Sequence, residues 1–527
     1  MAERQQWKSR AGFILAAAGS AIGLGNIVFF SANAYRFGAG AFYLPYLFAL
    51  LICGIPVMIA EFGLGKRFQA SFPIALGRIG GRAGEVVGWF AIVNALMITM
   101  YYASILAWTA GMWWFSLTGS LFEASVAIPG FGLEQGSMEN PAASFFRLTS
   151  SWAVVAAVVV VWGFNYLGLS RGTRSIEALV RLLIPFIWVV MLLFIVRGLT
   201  LDGGIHGAYL LFKPEFGVMA SPKVWNGAFS QIFFTLSLGF GIMTAYASYL
   251  PRDSDHTSNA FVVSLMNCSF EMIAGLAIFS LLFAFALIPQ ASTLGMMFFV
   301  VPKAIGELPV GAQFVGASFF TLLMAAGISS SISLVESAVS ALTDKFGGSR
   351  QPILLAVTGA GVLGSIAFAL PHVIDPSLDS NGTLGLSLLD LVDHYTFSYG
   401  LLIVGFVECV LIGWWLPVSS LRAELNASSS IQLGVWFDWL IKLVLPGILG
   451  AILVTTLLTD LGILGASDFP AVYGEEMSLG SFAFLPMLVP LCWLVLTLLA
   501  GWMLSGRPTR HRGVVTEDAH TSALEKP

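Results

Sequence analysis

Apolar runs of about twenty residues recur along the whole chain, with short polar stretches between them. A helix of that length crosses a hydrocarbon core of about 30 Å, so each run predicts one membrane-spanning helix. We number twelve such segments in chain order: 12–35, 40–65, 85–117, 152–169, 176–199, 226–250, 259–288, 316–343, 351–371, 388–417, 433–459 and 481–505. The pattern predicts an all-α integral membrane protein with a single membrane domain over 1–505 and a tail over 506–527.

Small and polar residues interrupt two of these segments near their middles. Segment 1 contains GSAIGLGN (19–26) and segment 6 contains TLSLGFG (235–241). Glycines in membrane helices also serve close helix packing, but here they occur at matching places five segments apart. Because five is odd, segments 1–5 (about 12–199) and 6–10 (226–417) insert with opposite topology, and segments 11 and 12 (433–505) follow. Matching breaks in two inverted halves predict a transporter with its site at the bilayer midplane.

Composition and charge place the chain in a membrane with a defined orientation. Only 10% of residues are charged, against about a quarter in soluble proteins. If the N-terminus is cytoplasmic, about eighteen basic residues fall on the cytoplasmic side, as expected for membrane proteins. We therefore expect a multi-pass protein of the cell membrane with both termini, and the tail, in the cytoplasm. All four cysteines fall within segments, which argues against a disulfide framework.

Two short stretches match enzyme motifs but lack the neighbouring elements that those motifs require, and the motif of nucleotide-driven pumps is absent. GAGVLG (359–364) lies inside an apolar segment with no strand before it, and GLSRG (168–172) lies in a basic loop. The sequence contains no Walker A motif and no H-E-x-x-H motif. We expect neither an enzyme nor an ATP-driven pump, and the net charge of −4 without a basic cluster does not suggest a nucleic-acid partner.

Helices that are broken inside a membrane indicate a bound polar ligand. Lipid cannot satisfy the backbone groups that an unwound turn frees, so such a turn must face protein, water or a ligand. Freed N–H groups suit a carboxylate, and freed carbonyls suit a monovalent cation or an ammonium group. Neutral side-chain oxygens nearby favour a hard cation over a transition metal; they belong to Asn26, Thr235, Asn267, Ser329 and Ser330.

Four stretches resemble one known family, the neurotransmitter:sodium symporters, especially its bacterial amino-acid transporters with the leucine-transporter fold. They are GSAIGLGNIVFF (19–30), GAGAFYLPYL (38–47), GIPVMIAEFGLGKR (54–67) and QIFFTLSLGFGIMTAYASY (231–249). The resemblance runs from about Arg4 to at least Glu408. It implies a sodium-coupled symporter that imports an amino acid, in particular a neutral one, by alternating access.

The resemblance implies two sodium sites built largely from backbone carbonyls and neutral side chains. The first would comprise Ala21, Asn26, Thr235 and Asn267, together with the substrate carboxylate. The second would comprise Gly19, Ile22, Ala326, Ser329 and Ser330. Ser329 stands where many relatives have threonine, and it retains the hydroxyl.

The resemblance also implies a substrate site between the breaks. The N–H groups of Leu24 and Gly25 and the hydroxyl of Tyr102 would hold a carboxylate. The ammonium group would meet the backbone carbonyls of Ala21, Phe234 and Thr235. The side-chain pocket would be lined by Ile98, Ser237, Phe240, Ser330 and Leu334, with Phe234 as its cap.

Two positions bear on charge at this site. Amine-transporting relatives place an aspartate where this chain has Gly23, so the glycine favours an amino acid over a monoamine. Chloride-dependent relatives have serine where this chain has Glu271. A carboxylate within a membrane segment is costly and usually functional, so we expect Glu271 to take the place of chloride, with transport independent of that ion.

The inner gate implied by the resemblance is an ion pair on the cytoplasmic side. Arg4 and Asp344 would form the pair, supported by Trp7, Ser248 and Tyr249. Charges at helix ends are more often simply solvated, so this assignment depends on the resemblance.

The outer gate departs from the family pattern. Relatives carry an arginine where this chain has Phe29, although its aspartate partner remains as Asp393. Arg36, seven residues on, could replace that arginine only if segment 1 is rearranged. We expect an apolar outer gate built by Phe29 and Phe234, with Asp393 held by water or by His394.

Two other functions remain as alternatives. The first is sodium symport of another small zwitterion, such as a betaine, taurine or a related osmolyte. The second is a channel or a non-transporting sensor on the same fold. The oligomeric state cannot be read from the sequence.

Overall fold

The structure is a computed structural model of the full chain. The residues that it describes are 5–122, 125–126, 138–139, 141–213, 216–217, 219, 221–290, 292–373, 383–464 and 484–510.

Helices make up most of the described chain. The α-helices are Arg10–Ala21, Phe30–Arg36, Gly40–Ala49, Ile55–Phe68, Phe72–Thr118, Ala142–Thr149, Ala153–Leu169, Thr173–Leu199, Gly204–Phe212, Pro222–Thr235, Ile242–Ala247, His256–Ala284, Thr293–Gly295, Val301–Gly306, Ala312–Phe346, Arg350–Phe368, Leu384–Asp393, Leu402–Val410, Val418–Asn426, Val435–Trp439, Leu445–Asp460 and Leu485–Ser505. Six π-helical stretches join or extend them: Gly25–Phe29, Leu50–Gly54, Met296–Val300, His394–Leu401, Leu411–Trp415 and Leu440–Val444. A 3₁₀ turn, Ser120–Phe122, and two antiparallel two-residue strands, Ser125–Val126 and Met138–Glu139, complete the described elements.

The predicted all-α membrane architecture is confirmed, whereas the count of twelve spans is not. Among the described residues, nine helices are long and apolar enough to cross a membrane, or up to eleven if two bent pairs each count as one span. Segment 6 lies outside that count because its two helical pieces have only 14 and 6 residues.

Segment 1 is broken where the sequence predicts. The helix Arg10–Ala21 begins at Ser9, whose side chain accepts a hydrogen bond from the Gly12 N–H and so caps the helix. It ends at Ile22, whose backbone is extended, and the segment resumes at Gly25 with a bend of 58°. Glycine and extended backbone around residues 22–25 thus interrupt the helix inside the bundle.

Segment 6 is also broken where the sequence predicts. The helix Pro222–Thr235 is followed by a six-residue turn before Ile242–Ala247 begins. Three turn residues have left-handed backbone angles, with φ of 54° at Ser237, 75° at Gly239 and 72° at Gly241. The two glycines adopt this conformation without the steric cost that Ser237 bears.

Short helices occur in several of the predicted loops. Ala142–Thr149 lies in the predicted loop 118–150, and Thr293–Gly306 lies in the loop 289–315. Gly204–Phe212 and Val418–Asn426 likewise lie between predicted segments. Each is too short to cross a hydrocarbon core, so a search for long apolar runs does not identify it.

The bundle is arranged around segments 1 and 6. Ala312–Phe346 packs along much of Phe72–Thr118, and the first part of segment 1 packs against both Ala312–Phe346 and Thr173–Leu199. The last helix, Leu485–Ser505, exposes many apolar side chains at the periphery. The described core therefore surrounds the two broken helices.

Candidate functional site

A buried cluster of neutral polar side chains joins the two broken helices to segment 7. The Asn26 amide donates to Thr235 Oγ1 over 3.0 Å and to Asn267 Oδ1 over 2.7 Å. The Asn267 amide also donates to Thr235 Oγ1, over 3.0 Å. Asn26 Oδ1 accepts from the Gly23 N–H at 2.8 Å, so the side chain also holds the unwound turn. The structure thus brings together the three side chains expected at the first cation site.

A second group of oxygens lies between segments 1 and 8. The Ser330 hydroxyl approaches the Ile22 carbonyl at 3.5 Å and the Ala326 carbonyl at 3.3 Å. The Ser329 hydroxyl donates to the same Ala326 carbonyl at 2.8 Å. Four of the five residues expected at the second cation site are therefore close together.

Gly19, the fifth expected member, lies at a close helix contact. A Cβ atom placed on it would lie 2.7 Å from Ile184 Cδ1 on the neighbouring helix Thr173–Leu199. The glycine therefore allows close packing of segment 1 there, as small residues commonly do in membrane helices.

A cavity of about 710 Å³ adjoins the first cluster. Its lining contains all eleven residues expected at the substrate site: Ala21, Leu24, Gly25, Ile98, Tyr102, Phe234, Thr235, Ser237, Phe240, Ser330 and Leu334. It extends past Phe29 to Arg36 and Phe37 near the end of segment 1. We call that end of the bundle the outer end, and the end with Trp7 and Asp344 the inner end, following the predicted orientation.

Tyr102 and Gly23 shape the cavity beside the break in segment 1. The Leu24 N–H donates to the Tyr102 hydroxyl over 3.1 Å. A Cβ atom on Gly23 would lie 2.8 Å from Ser330 Oγ and 3.1 Å from the Tyr102 hydroxyl. A side chain at position 23 would therefore displace one of these hydroxyls.

Three aromatic rings meet in the outer part of the cavity. The ring centroids of Phe29 and Phe234 are 5.8 Å apart, and those of Phe29 and Phe397 are 6.0 Å apart. Phe234 and Phe397 are 4.6 Å apart, and all three pairs meet edge to face. The two phenylalanines expected at the outer gate are in contact, and Phe397 is a third member that sequence reasoning missed.

Asp393 has a different partner from the one expected. The Tyr101 hydroxyl donates to Asp393 Oδ1 over 2.5 Å. The ring of His394 instead lies 2.8 Å from Asp460 Oδ2, which also accepts from the Tyr399 hydroxyl at 2.6 Å. We expected water or His394 to hold Asp393; the described hydrogen-bond partner is the Tyr101 hydroxyl, whereas the His394 ring nitrogen bonds Asp460. Successive helical residues point about 100° apart, so Asp393 and His394 face different neighbours.

Glu271 is wholly buried and is bonded to three side chains. Its Oε1 accepts from Gln231 Nε2 and from Thr235 Oγ1, each over 2.7 Å. Its Oε2 accepts from the Tyr46 hydroxyl. Because Thr235 belongs to the first cluster, the carboxyl group lies one side chain away from the expected cation site.

At the inner end, the stretch of chain before the first helix is held by hydrogen bonds to backbone carbonyls. Trp7 donates from its backbone N–H to the Tyr249 carbonyl over 3.1 Å and from its ring nitrogen to the Tyr246 carbonyl over 2.9 Å. Asp344 Oδ2 accepts from the Ser71 N–H over 2.7 Å. Arg4, the expected partner of Asp344, lies outside the described residues. The Ser248 hydroxyl donates to the Ala245 carbonyl.

The structure adds a buried ion pair to this end. Arg350 Nη1 donates to Glu336 Oε1 over 2.9 Å, and Arg350 Nη2 bonds the second carboxylate oxygen. The Tyr249 hydroxyl donates to Glu336 Oε1 over 2.7 Å. Glu336 is wholly buried. A charged residue inside segment 8, followed by an arginine just before segment 9, is the signal that could have indicated it.

Known proteins similar to this chain are sodium-dependent transporters. A profile of the Sodium:neurotransmitter symporter family matches residues 4–127 and 146–499. An uncharacterised sodium-dependent transporter of Methanocaldococcus jannaschii is 39% identical over 470 residues, which cover 85% of this chain and 90% of that protein. The sodium- and chloride-dependent creatine transporter 1 of Bos taurus is 27% identical over 489 residues, 83% of this chain and 74% of the relative.

A solved structure shares the fold. The crystal structure of MhsT in complex with L-phenylalanine superposes with a TM-score of 0.72 and 29% identity, covering 86% of this chain and all of that one. The predicted inverted-repeat fold with two broken helices is thereby confirmed. From its sequence and its fold, this multi-pass membrane protein belongs to the sodium:neurotransmitter symporter family and is a sodium-dependent transporter.

Proposed function

We propose that the protein imports a neutral amino acid with sodium by alternating access, across the cell membrane and with both termini in the cytoplasm. The observation that carries the proposal is the buried cluster of Asn26, Thr235 and Asn267, which links both broken helices beside a cavity. Inward sodium movement is favoured by about 2.3 kcal/mol per charge for every 100 mV of membrane potential.

The donor sets suit two sodium ions. At the first site, the side-chain oxygens of Asn26, Thr235 and Asn267 would join the Ala21 carbonyl and a substrate carboxylate. At the second, the Ser329 and Ser330 hydroxyls would join backbone carbonyls of Gly19, Ile22 and Ala326. All of these donors are oxygens, which hard cations prefer.

The cavity suits a zwitterion with an uncharged side chain. The N–H groups of Leu24 and Gly25, at the start of the second half of segment 1, and the Tyr102 hydroxyl would bind a carboxylate. The carbonyls of Ala21, Phe234 and Thr235 would accept from the ammonium group. The pocket wall has no charged group among Ile98, Ser237, Phe240, Ser330 and Leu334. The L-phenylalanine bound by MhsT supports an amino acid as substrate.

Coupling requires sodium to bind one conformation more tightly than the other, since equal affinity shifts no equilibrium. An ion in the first cluster would hold segments 1, 6 and 7 together, and one in the second would hold segment 1 to segment 8. Sodium would therefore favour the arrangement in which the two breaks face the substrate cavity.

The test is a thermal-stability screen of the purified protein with sodium or potassium, followed by uptake into liposomes. Sodium, but not potassium, should raise the melting temperature, and one or more neutral amino acids should raise it further. The panel includes betaine and taurine as the other zwitterions considered above. It also includes creatine, because some relatives are creatine transporters. Stabilisation by these compounds alone would favour the other zwitterions, and sodium-dependent binding without uptake of any compound would favour a sensor.

Two asparagine-to-alanine variants distinguish loss of the sodium site from a general loss of packing. Asn26→Ala should abolish the sodium-dependent shift. Asn165→Ala removes another buried asparagine, which donates to Ser331 over 2.8 Å outside the clusters, and it should retain the shift. Equal loss in both variants would contradict the assigned site.

A separate experiment tests whether uptake is independent of chloride. Glu271 places a carboxyl group beside Thr235, and we propose that it takes the place of chloride. Uptake should be unchanged when gluconate replaces chloride, and Glu271→Ser should make uptake chloride-dependent. If uptake by the native protein requires chloride, this role for Glu271 is excluded.

A further inference from the structure

Four phenylalanine rings form a connected group on the cavity wall, which we call the ring group: Phe29, Phe234, Phe240 and Phe397. Phe234 lies at its centre. Its ring centroid is 5.8 Å from that of Phe29, 4.6 Å from that of Phe397 and 6.4 Å from that of Phe240. The four residues belong to segments 1, 6 and 10, so three helices contribute to one aromatic wall.

The centre of the ring group lies beside the place proposed for the substrate carboxylate. A Cβ atom on Gly25 would lie 3.0 Å from Phe234 Cε1, and the Gly25 N–H is one of the proposed carboxylate donors. A substrate held by that N–H group would therefore have its side chain within reach of the Phe234 ring.

The charged side chains of the described cavity lining lie on the outer side of the rings. They belong to Arg36, Asp390 and Asp393. Segment 1 runs towards the outer end, so Arg36 lies beyond Phe29. Segment 10 runs away from the outer end, so both aspartates come before Phe397. The described lining inward of the rings therefore offers no opposite charge to a charged substrate side chain, which would be costly to bury there.

A second, smaller cavity of about 60 Å³ adjoins the rings of Phe234 and Phe397. It lies between segments 6, 10 and 11, where Leu401 and Thr456 also line it. Closely packed protein interiors accept extra volume poorly. Because these two rings have free space beside them, they can move apart to admit a large planar side chain.

We propose that Phe397 is a specificity-determining residue, which together with Phe234 selects an amino acid with an aromatic side chain. This inference rests on the proposed function, in which the same cavity binds the amino acid. Aromatic rings attract one another in edge-to-face and offset arrangements, beyond the effect of burial alone. A substrate ring beside Phe234 gains such contacts, and an aliphatic side chain does not. Phe397 adds aromatic surface to the wall and holds Phe234 in position.

Sodium-dependent binding to the purified full-length protein tests the proposal, measured by calorimetry with L-phenylalanine and L-cyclohexylalanine. The second compound has the same carbon skeleton with a saturated ring, so the ratio of the two dissociation constants isolates the aromatic contacts. The native protein should bind L-phenylalanine roughly tenfold more tightly than L-cyclohexylalanine. L-Lysine should not bind, because its ammonium group would be buried without a counter-charge.

Phe397→Leu keeps an apolar side chain at this position and removes the ring. It should reduce the preference to about twofold or less, and Phe397→Tyr, which keeps the ring, should retain it. Phe48→Leu is the matched control, since Phe48 also meets two rings edge to face but is not part of the cavity lining. It should leave the preference unchanged. If Phe397→Leu does not fold, Phe397→Met replaces it as the variant without a ring.

The outcomes separate this proposal from the proposed function. Sodium-dependent binding of L-leucine or L-alanine, without any preference for L-phenylalanine over L-cyclohexylalanine, overturns the aromatic selectivity and leaves amino-acid transport standing. An unchanged preference in the variant without a ring, or an equal loss in Phe48→Leu, overturns the role of Phe397. Failure of the native protein to bind any amino acid with sodium overturns both proposals.

Discussion

The two ends of the bundle are held together by different kinds of contact. At the inner end, Trp7 is bonded to backbone carbonyls, and Glu336 and Arg350 form a buried ion pair. At the outer end, the rings of Phe29, Phe234 and Phe397 meet edge to face, and the cavity continues beyond them. The inner end is therefore held by an ion pair and hydrogen bonds, and the outer end by aromatic contacts together with the Tyr101–Asp393 hydrogen bond.

This difference matters for alternating access. Removing one partner of a buried ion pair costs a large free energy, because the remaining charge is left unpaired in the interior. Edge-to-face aromatic pairs each contribute only about 0.5–1.5 kcal/mol beyond burial, and the rings can separate without leaving a charge behind. We infer that the outer end opens at lower cost than the inner end, and the following changes test that inference from the largest effect to the smallest.

Glu336→Gln should have the largest effect. It leaves the Arg350 charge without its carboxylate, which typically costs about 3–5 kcal/mol. We expect loss of sodium-dependent uptake and greater labelling of a cysteine introduced at Ser248, measured with a membrane-impermeant thiol reagent applied from the inner side.

The control for this prediction is the less buried pair Arg422–Asp438, whose donor and acceptor lie 3.0 Å apart. Asp438→Asn should cost less than Glu336→Gln, because the Asp438 side chain is 15% exposed whereas Glu336 is wholly buried. A double change, Glu336→Gln with Arg350→Gln, should recover part of the uptake. Normal uptake in Glu336→Gln would show that the ion pair does not hold the inner end.

Tyr101→Phe should have the next largest effect, because it removes the hydroxyl that donates to Asp393. A hydrogen bond to a charged group contributes about 1.5–3 kcal/mol. We expect uptake to fall about tenfold or more, and Asp393→Asn to reduce it similarly. If Asp393→Asn has no effect, the aromatic rings alone close the outer end.

Phe234→Ala should have a smaller effect, because it removes two edge-to-face contacts, with Phe29 and Phe397. The loss should be about 1–3 kcal/mol, seen as weaker apparent affinity for substrate in uptake assays. Phe48→Ala is the matched control, since Phe48 makes similar contacts with Trp225 and Phe229 on an exposed surface. Equal effects in both variants would contradict a gating role for Phe234.

Arg36→Ala should have the smallest effect. Arg36 lies seven residues beyond Phe29, about 10 Å along a helix, so it is not part of the three-ring contact; one of its contacts is with the Phe37 ring, whose centroid lies 5.6 Å from the guanidinium carbon. Uptake should therefore be largely retained. Loss of transport in Arg36→Ala with normal transport in Asp393→Asn would instead favour an outer ion pair rebuilt around Arg36.

Much of the fold could be predicted from local pattern. Long apolar runs predict membrane helices because backbone groups in lipid must bond within their own helix. The glycines of 19–26 and 235–241 predict the breaks because they disfavour helix at those places. Short helices such as Ala142–Thr149 were missed, since a single turn or two leaves little periodic pattern in the sequence.

By itself, the sequence determined the membrane class, the two breaks and the candidate residues around them. Only the tertiary structure decided which of those residues meet and what else joins them. Tyr101 and Asp393 are 292 positions apart, and Tyr249 and Glu336 are 87 apart. Local pattern contains no information on such pairings, because they arise from the way whole helices pack.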